Sequence, residues 1–323
     1  MKVVNMGNEP DLESRLKGGL WGVVVGDAFG FPFQFWSRER MREEYPNPED
    51  IPMLDGLWSD DSSLTLATAH ALKDGYSLER IAQNFISWYY DGEFTPRGHA
   101  FDEGITTSRA IERLAKGVFP LNAGGRGERD NGNGSLMRIL PVAYYAYFKM
   151  KNLEERLQMI HEVSMLTHAH PRSLVGCGIY SMVVWNILSG LDKFDAYSEA
   201  VELAREVYSM EPFSRELEHY ERVLSGKIHK FAESEIRGSG YVVHTLEAAL
   251  WAFLRNNSFE DAIREVVSLA EDTDTTGAVV GGLAGTYYGF EAIPGEWLGK
   301  IEARELIEEI INDFVFSLIE ARR

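Results

Sequence analysis

The sequence predicts an all-α protein, a bundle of helices. Three observations carry this. Apolar residues recur at the three-to-four-residue spacing of an amphipathic helix through nearly the whole chain. No segment of useful length alternates apolar and polar residues as a half-buried strand does, and the valine pairs lie inside helix-period runs. Proline and glycine gather in a few stretches between those runs.

Leu12, Leu16, Leu20, Val23 and Val24 share one side of a first helix, which ends near Gly30-Phe31-Pro32. Residues 31–57 hold four prolines and read as a long loop. Leu64, Leu66, Ala67, Ala71 and Leu72 mark a second helix, and Ile81, Phe85 and Trp88 a third. A loop over 91–102 precedes a fourth, marked by Ile105, Ile111 and Leu114. Residues 118–134, rich in Gly and Asn, form another loop. Helices then follow over about 135–150, 153–167, 171–189 and 193–209. The stretch 210–238 is charged and weakly periodic, an excursion rather than a domain linker. Helices at about 240–255, 258–271, 275–290 and 301–321 complete the chain. With no repeat and no low-complexity tract, residues 1–323 read as a single domain.

Composition narrows the function. Lys and Arg total 32 against 50 Asp and Glu, a net charge of −18. Nucleic acid or an anionic membrane would need a basic footprint, so neither is expected as a partner. Cys177 is the only cysteine, which excludes an intramolecular disulfide and a zinc site made of several thiolates. The first sixteen residues are polar and no run of about 18 apolar residues occurs, so the cytoplasm is the expected location.

Two acidic motifs stand at helix starts. Ser59-Asp60-Asp61-Ser62-Ser63 precedes the run LTLATAHAL. Asp272-Thr273-Asp274-Thr275-Thr276-Gly277 precedes a helix holding Gly277, Ala278, Gly281, Gly282, Ala284 and Gly285. Either motif can be read as an N-cap, since Ser and Asp satisfy free N–H groups there. One Asp suffices for that purpose, and adjacent carboxylates repel each other unless a cation lies between them. A divalent cation takes about six oxygens. Ser59, Asp60, Asp61, Asp272, Asp274 and Thr275 can supply them from opposite ends of the chain. Glycines inside a helix cost about 1 kcal/mol each, so many of them imply that another backbone comes very close. The second motif also matches the Asp-x-Asp-x-Thr pattern of aspartyl-phosphate phosphatases. There, however, the first Asp ends a buried strand, whereas DAIREVVSLAE is helical.

Six ordered motifs over about residues 14–300 resemble the ADP-ribosylglycohydrolases, a family that includes the hydrolase removing ADP-ribose from dinitrogenase reductase. They are Gly26-Asp27-Ala28-Phe29-Gly30-Phe31-Pro32; Ser59-Asp60-Asp61-Ser62; Phe101-Asp102-Glu103-Gly104; Gly132-Asn133-Gly134-Ser135-Leu136-Met137-Arg138; Thr167-His168-Ala169-His170-Pro171; and Asp272-Thr273-Asp274-Thr275-Thr276-Gly277. The resemblance implies an orthogonal helical bundle and a binuclear Mg²⁺ or Mn²⁺ centre on the six residues named above. It implies that Asp102, Gly132, Asn133, Gly134, Ser135, Met137 and His168 bind ADP-ribose, with free N–H donors on a helix starting near Ser135. It further implies hydrolysis of the bond between ADP-ribose and an acceptor, either a protein side chain or a small molecule. Asp60 or Asp61 would activate water at C1″, or the ribose ring would first open with metal assistance. Asp27 is expected to back the metal site, and Trp36, Trp58 and Phe101 read as core edges or adenine platforms.

One departure matters. The family commonly carries Glu where this chain has Gln34, and glutamine cannot take up a proton at neutral pH. That leaves a second reading open, a non-catalytic ADP-ribose-binding or structural, crystallin-like relative.

Overall fold

The structure, a computed structural model, describes residues 9–320. Among these, sixteen α-helices and short 3₁₀ turns make up the fold, and no strand is present. α1 (Leu12–Gly30) opens on Asp11, whose side chain accepts from Ser14 N. There follow α2 (Arg38–Glu44), α3 (Asp60–Leu72), α4 (Leu78–Asp91), α5 (Ile105–Ala115), α6 (Pro120–Ala123), α7 (Leu140–Lys149) and α8 (Leu153–Met165). The second half holds α9 (Pro171–Leu188), α10 (Lys193–Val207), α11 (Glu221–Leu224), α12 (Val242–Arg255), α13 (Phe259–Ser268), α14 (Thr273–Tyr288), α15 (Gly295–Lys300) and α16 (Arg304–Glu320). No helix among the described residues is long and apolar enough to cross a membrane.

The all-α expectation holds, with local corrections. The segment 31–57 is not all loop, because Ser37 caps α2 through Arg40 N and Met41 anchors it in the core. No α-helix begins near Ser135. Leu136–Arg138 form one 3₁₀ turn, and Pro141 fixes the start of α7. The helix expected to reach 271 stops at Ser268, since Ala270 and Glu271 have φ of 62° and 70°. The stretch 210–238 folds onto the core through Tyr220, Ile228 and Ile236. Residues 1–8 of the polar N-terminal stretch, and residue 321 at the end of the last helix, lie outside the described residues.

α1 and α14 lie at the centre and run antiparallel. From Leu20 to Gly30 every residue of α1 is buried, so it is a core helix rather than an amphipathic one. Gly18, Gly22, Gly26 and Gly30 face Gly285, Gly281, Gly277 and Thr273 in turn, backbone against backbone. A Cβ on Gly26 would collide with the Gly277 carbonyl, and one on Gly277 would collide with that of Gly26. The glycines of α14 thus have their close backbone partner, and it is the first helix. This contact sets Asp27 beside the start of α14. Gly26→Val is expected to lower stability by about 3 kcal/mol or more, because neither backbone can give way. A urea melt followed by circular dichroism checks this, and an unchanged midpoint would refute the packing.

Candidate metal and ligand site

Three helices converge on one buried group of carboxylates. Asp27, near the end of α1, accepts from Ser59 N at 2.9 Å, from Ser62 N at 3.0 Å and from Ser62 Oγ at 2.5 Å. It therefore caps α3 from outside and fixes where Asp60 and Asp61 stand. At the start of α14, Thr273 Oγ1 donates to Gly30 O at 2.7 Å, which ties that helix to the end of α1. The two acidic motifs then meet directly. Asp61 Oδ2 accepts from Ser59 Oγ at 3.2 Å and from Thr275 Oγ1 at 3.3 Å. Carboxylate oxygens of Asp27, Asp61 and Asp274 all lie within 4.8 Å of one another.

No Lys or Arg among the described residues forms a salt bridge with these acids. Burial, reinforced by mutual repulsion, holds the carboxyls of Asp60, Asp61 and Asp274 well above the usual range. Burial also pushes Asp27 up to about 7, against the hydrogen bonds from Ser62 and Ser59. Asp61 Oδ1 and Asp274 Oδ2 are buried with no hydrogen-bond partner. An unsatisfied buried acceptor costs about 1–3 kcal/mol, and more when charged. Hard oxygens, unneutralised charge and two unpartnered lone-pair donors fit a divalent cation.

Beside the cluster lies a cavity of about 940 Å³. Asp60, Asp272 and Thr275 line it, as do Gln34 and Asp102. Gly132, Asn133, Gly134, Met137 and His168 form another part of its wall. Ser59, Asp61 and Asp274 are buried and do not line the cavity. Ser135, expected in the ligand pocket, is not in the lining either. Its hydroxyl accepts from Ser164 Oγ at 2.8 Å and meets Cys177 Sγ at 3.5 Å, fully buried.

Several side chains serve to hold others. Asn133 Nδ2 donates to Asp272 Oδ2 at 2.7 Å and to Thr245 Oγ1 at 2.9 Å, so its amide positions the carboxylate. Gly134 passes so close to His168 Cε1 and Thr107 Oγ1 that a Cβ would sit 2.7 Å and 2.9 Å from them. Arg138, buried, donates to Thr167 Oγ1 at 2.7 Å, and that hydroxyl meets His168 Nδ1 at 2.9 Å. Burial, and then the Arg138 charge, push His168 down to about 3, so the ring is neutral. Gln34 Nε2 donates to Asp102 Oδ2 at 2.8 Å. Burial raises the Asp102 carboxyl, while the bond from Gln34 opposes the rise.

Backbone strain gathers at the mouth. Phe35, Asp102 and Glu271 have φ of 64°, 63° and 70°. Phe35 N donates to Glu271 O at 2.7 Å, and Glu271 N donates to Trp36 O at 3.0 Å, which locks two strained segments together. Phe35 is 79% exposed and lines the cavity, a place that sequence reasoning missed. So was the start of α5, where Gly104, Ile105, Thr106 and Thr107 line the wall. Trp58 is no base platform: it is buried and its Nε1 donates to Glu302 O. Trp36 lines the cavity with Arg40 over its ring, and Phe101 packs on Phe31 and His99.

The family model of the ADP-ribosylglycohydrolases matches residues 8–323. The chain belongs to the ADP-ribosylglycohydrolase family. Within that family it is similar to the ADP-ribosylarginine hydrolase Tri1 of Serratia proteamaculans, 29% identical over 320 residues, covering 96% of this chain and 82% of the relative. It is also similar to Tri1 of Pseudomonas putida, 31% identical over 306 residues, covering 93% and 77%. A solved ADP-ribosylglycohydrolase-related protein complex superimposes with a TM-score of 0.71 at 30% identity, covering 94% of this chain and 98% of that one. The helical bundle is thus that of the ADP-ribosylglycohydrolases.

Proposed function

We propose that the chain hydrolyses the glycosidic bond between ADP-ribose and an arginine side chain, in a reaction that depends on Mg²⁺ or Mn²⁺. The observation that carries this is the buried carboxylate group with two unpartnered oxygens, next to Asp60 and Asp272, which line a cavity large enough for a nucleotide. The arginine acceptor is taken from the printed activity of the two Tri1 relatives. Ser59, Asp60, Asp61, Asp272, Asp274 and Thr275 would hold the cations, two being the number the resemblance implies. Bound there, the metal supplies Lewis acidity toward the sugar oxygens.

The chain's own residues do the rest. Asp60 is the member of the α3 pair that faces the cavity; ionised when a cation is bound, it would take the proton from the water that bonds to C1″ and return it to the guanidino nitrogen as the C1″–N bond breaks. Gln34 cannot accept a proton, and instead holds Asp102 toward the ligand. The Gly132–Gly134 backbone and the first N–H groups of α5, left uncapped by Gly104, receive the pyrophosphate. Thr167 Oγ1, accepting from Arg138, donates a hydrogen bond to His168 Nδ1, so the ring proton stays on Nε2 and donates to a sugar hydroxyl. Met137 supplies an apolar wall.

Release of ADP-ribose from ADP-ribosylated arginine, followed by chromatography with Mg²⁺, Mn²⁺ or EDTA, tests this. Full turnover in EDTA would sink it. The second reading, a non-catalytic ADP-ribose binder or structural, crystallin-like member, is favoured by Gln34. It wins if ADP-ribose binds but no substrate turns over. Gln34→Glu removes the donor to Asp102 and sets two carboxylates side by side. The expected result is a changed rate or Mg²⁺/Mn²⁺ preference, read from kcat with each metal; no change in either would mean Gln34 plays no part.

A further inference from the structure

In a chain with 50 acidic and 32 basic residues, three arginines gather beside the main cavity. A smaller hollow of about 300 Å³ adjoins it, and Thr106 lines both. Arg109 and Arg113 reach the hollow from successive turns of α5, and Arg126 from the loop after α6. Two of these guanidinium groups are held in place. Arg113 Nε donates to Ala123 O at 2.6 Å, and Arg126 Nη2 donates to Leu121 O at 2.7 Å. An arginine has five N–H donors, so each keeps others for a ligand. The Arg109 side chain has no hydrogen bond or ion pair among the described residues. The one carboxylate of the hollow, Asp130, already accepts from Gly127 N at 2.8 Å and Thr106 Oγ1 at 3.3 Å. Three guanidinium groups therefore face a single engaged acid. The hollow's floor is tied to the main cavity as well. Gly125 N donates to Thr167 O and Ala169 N to Gly125 O, both at 2.8 Å, on either side of His168.

We propose that this hollow is a phosphate site, which takes a phosphate monoester group. Its volume suits a compact anion and not a nucleotide. Planar guanidinium forks match a tetrahedral oxyanion with paired hydrogen bonds. The phosphate has two possible sources: free inorganic phosphate, or a further phosphate on a ligand that extends from the main cavity, such as ADP-ribose 2′-phosphate. Only the second source rests on the glycohydrolase reading.

Calorimetric titration of the full chain with inorganic phosphate, ADP-ribose and ADP-ribose 2′-phosphate is the test. The expected result is that the 2′-phosphate binds about tenfold or more tightly than ADP-ribose. Arg109→Ala, which removes no internal contact, should erase that preference and leave ADP-ribose affinity unchanged. Binding of inorganic phosphate that Arg109→Ala weakens, with no preference between the nucleotides, supports the free source. If inorganic phosphate does not bind and the two nucleotides bind equally, the proposal is overturned. It is equally overturned if Arg109→Ala and Arg113→Lys both leave every affinity unchanged. Should inorganic phosphate bind through Arg109 while neither nucleotide binds at all, the glycohydrolase reading fails and the phosphate site stands.

Discussion

Replacing Asp61 or Asp274 by alanine lowers release of ADP-ribose by more than about 10²-fold, since even outer partners of metal ligands cost 10- to 100-fold when lost. The same variants melt at a higher temperature than the parent once metal has been stripped from both. The two effects share one cause. Asp61 Oδ1 and Asp274 Oδ2 are buried without a partner, among acids that repel them. Deleting either carboxyl relieves that repulsion and the unmet desolvation, and it also removes a donor the cation needs. Activity and metal-free stability therefore move in opposite directions, a trade-off common at functional sites. Activity and melting temperature measured on the same preparations decide the matter. Variants that lose activity and also melt lower without metal would show these acids to be ordinary structural partners.

Added Mg²⁺ raises the melting temperature of the stripped protein, and raises it more at higher pH. A carboxyl whose folded pKa exceeds its unfolded value binds the extra proton in the folded state. Its contribution is therefore full at low pH and is lost as pH rises. For Asp27 that loss spans the interval from the ordinary value of 3.8 to about 7. Asp60, Asp61 and Asp274, raised well above the usual range, extend the decline upward. A bound cation replaces the lost protons as the neutralising charge. At a hundredfold excess over its Kd it contributes about 2.7 kcal/mol, or roughly 5 °C for a chain of this size. Glu247 provides a control. Burial raises it to about 7 against the pull of Arg222 and Arg237, and none of these acids acts on it. Glu247→Gln should soften the decline with pH without changing the response to Mg²⁺. Scanning fluorimetry with and without Mg²⁺ measures both. A magnesium shift that is independent of pH would remove the cluster from the explanation.

Helix positions were legible because burial of one face writes a period into the sequence. α2 was not, since its seven residues bury only Met41 and leave no stripe. Residues 135–150 read as one helix because SLMRILPVAYY is apolar but for Ser135 and Arg138, yet Pro141 already marked the true start. The glycines of α14 announced a close neighbour without naming it. The matching four-residue row Gly18, Gly22, Gly26 and Gly30 was the signal that could have named it. Within the site, paired acids beside hydroxyls drew attention to Asp60, Asp61, Asp272 and Asp274. Ser135 misled, because the resemblance set it in the ligand pocket with its neighbours, and only burial against Ser164 and Cys177 shows otherwise. The neutrality of His168 likewise depends on its surroundings, which spacing does not record.

The antiparallel contact between α1 and α14 orders events during synthesis. The first helix leaves the ribosome long before its partner has been translated. Until then a glycine-lined apolar rod, bearing Asp27, has no surface that fits it. Nucleation by local pairs can proceed, but the central seam closes only over a very long loop, which slows folding. Nascent chains that stall before α14 consequently expose an aggregation-prone segment.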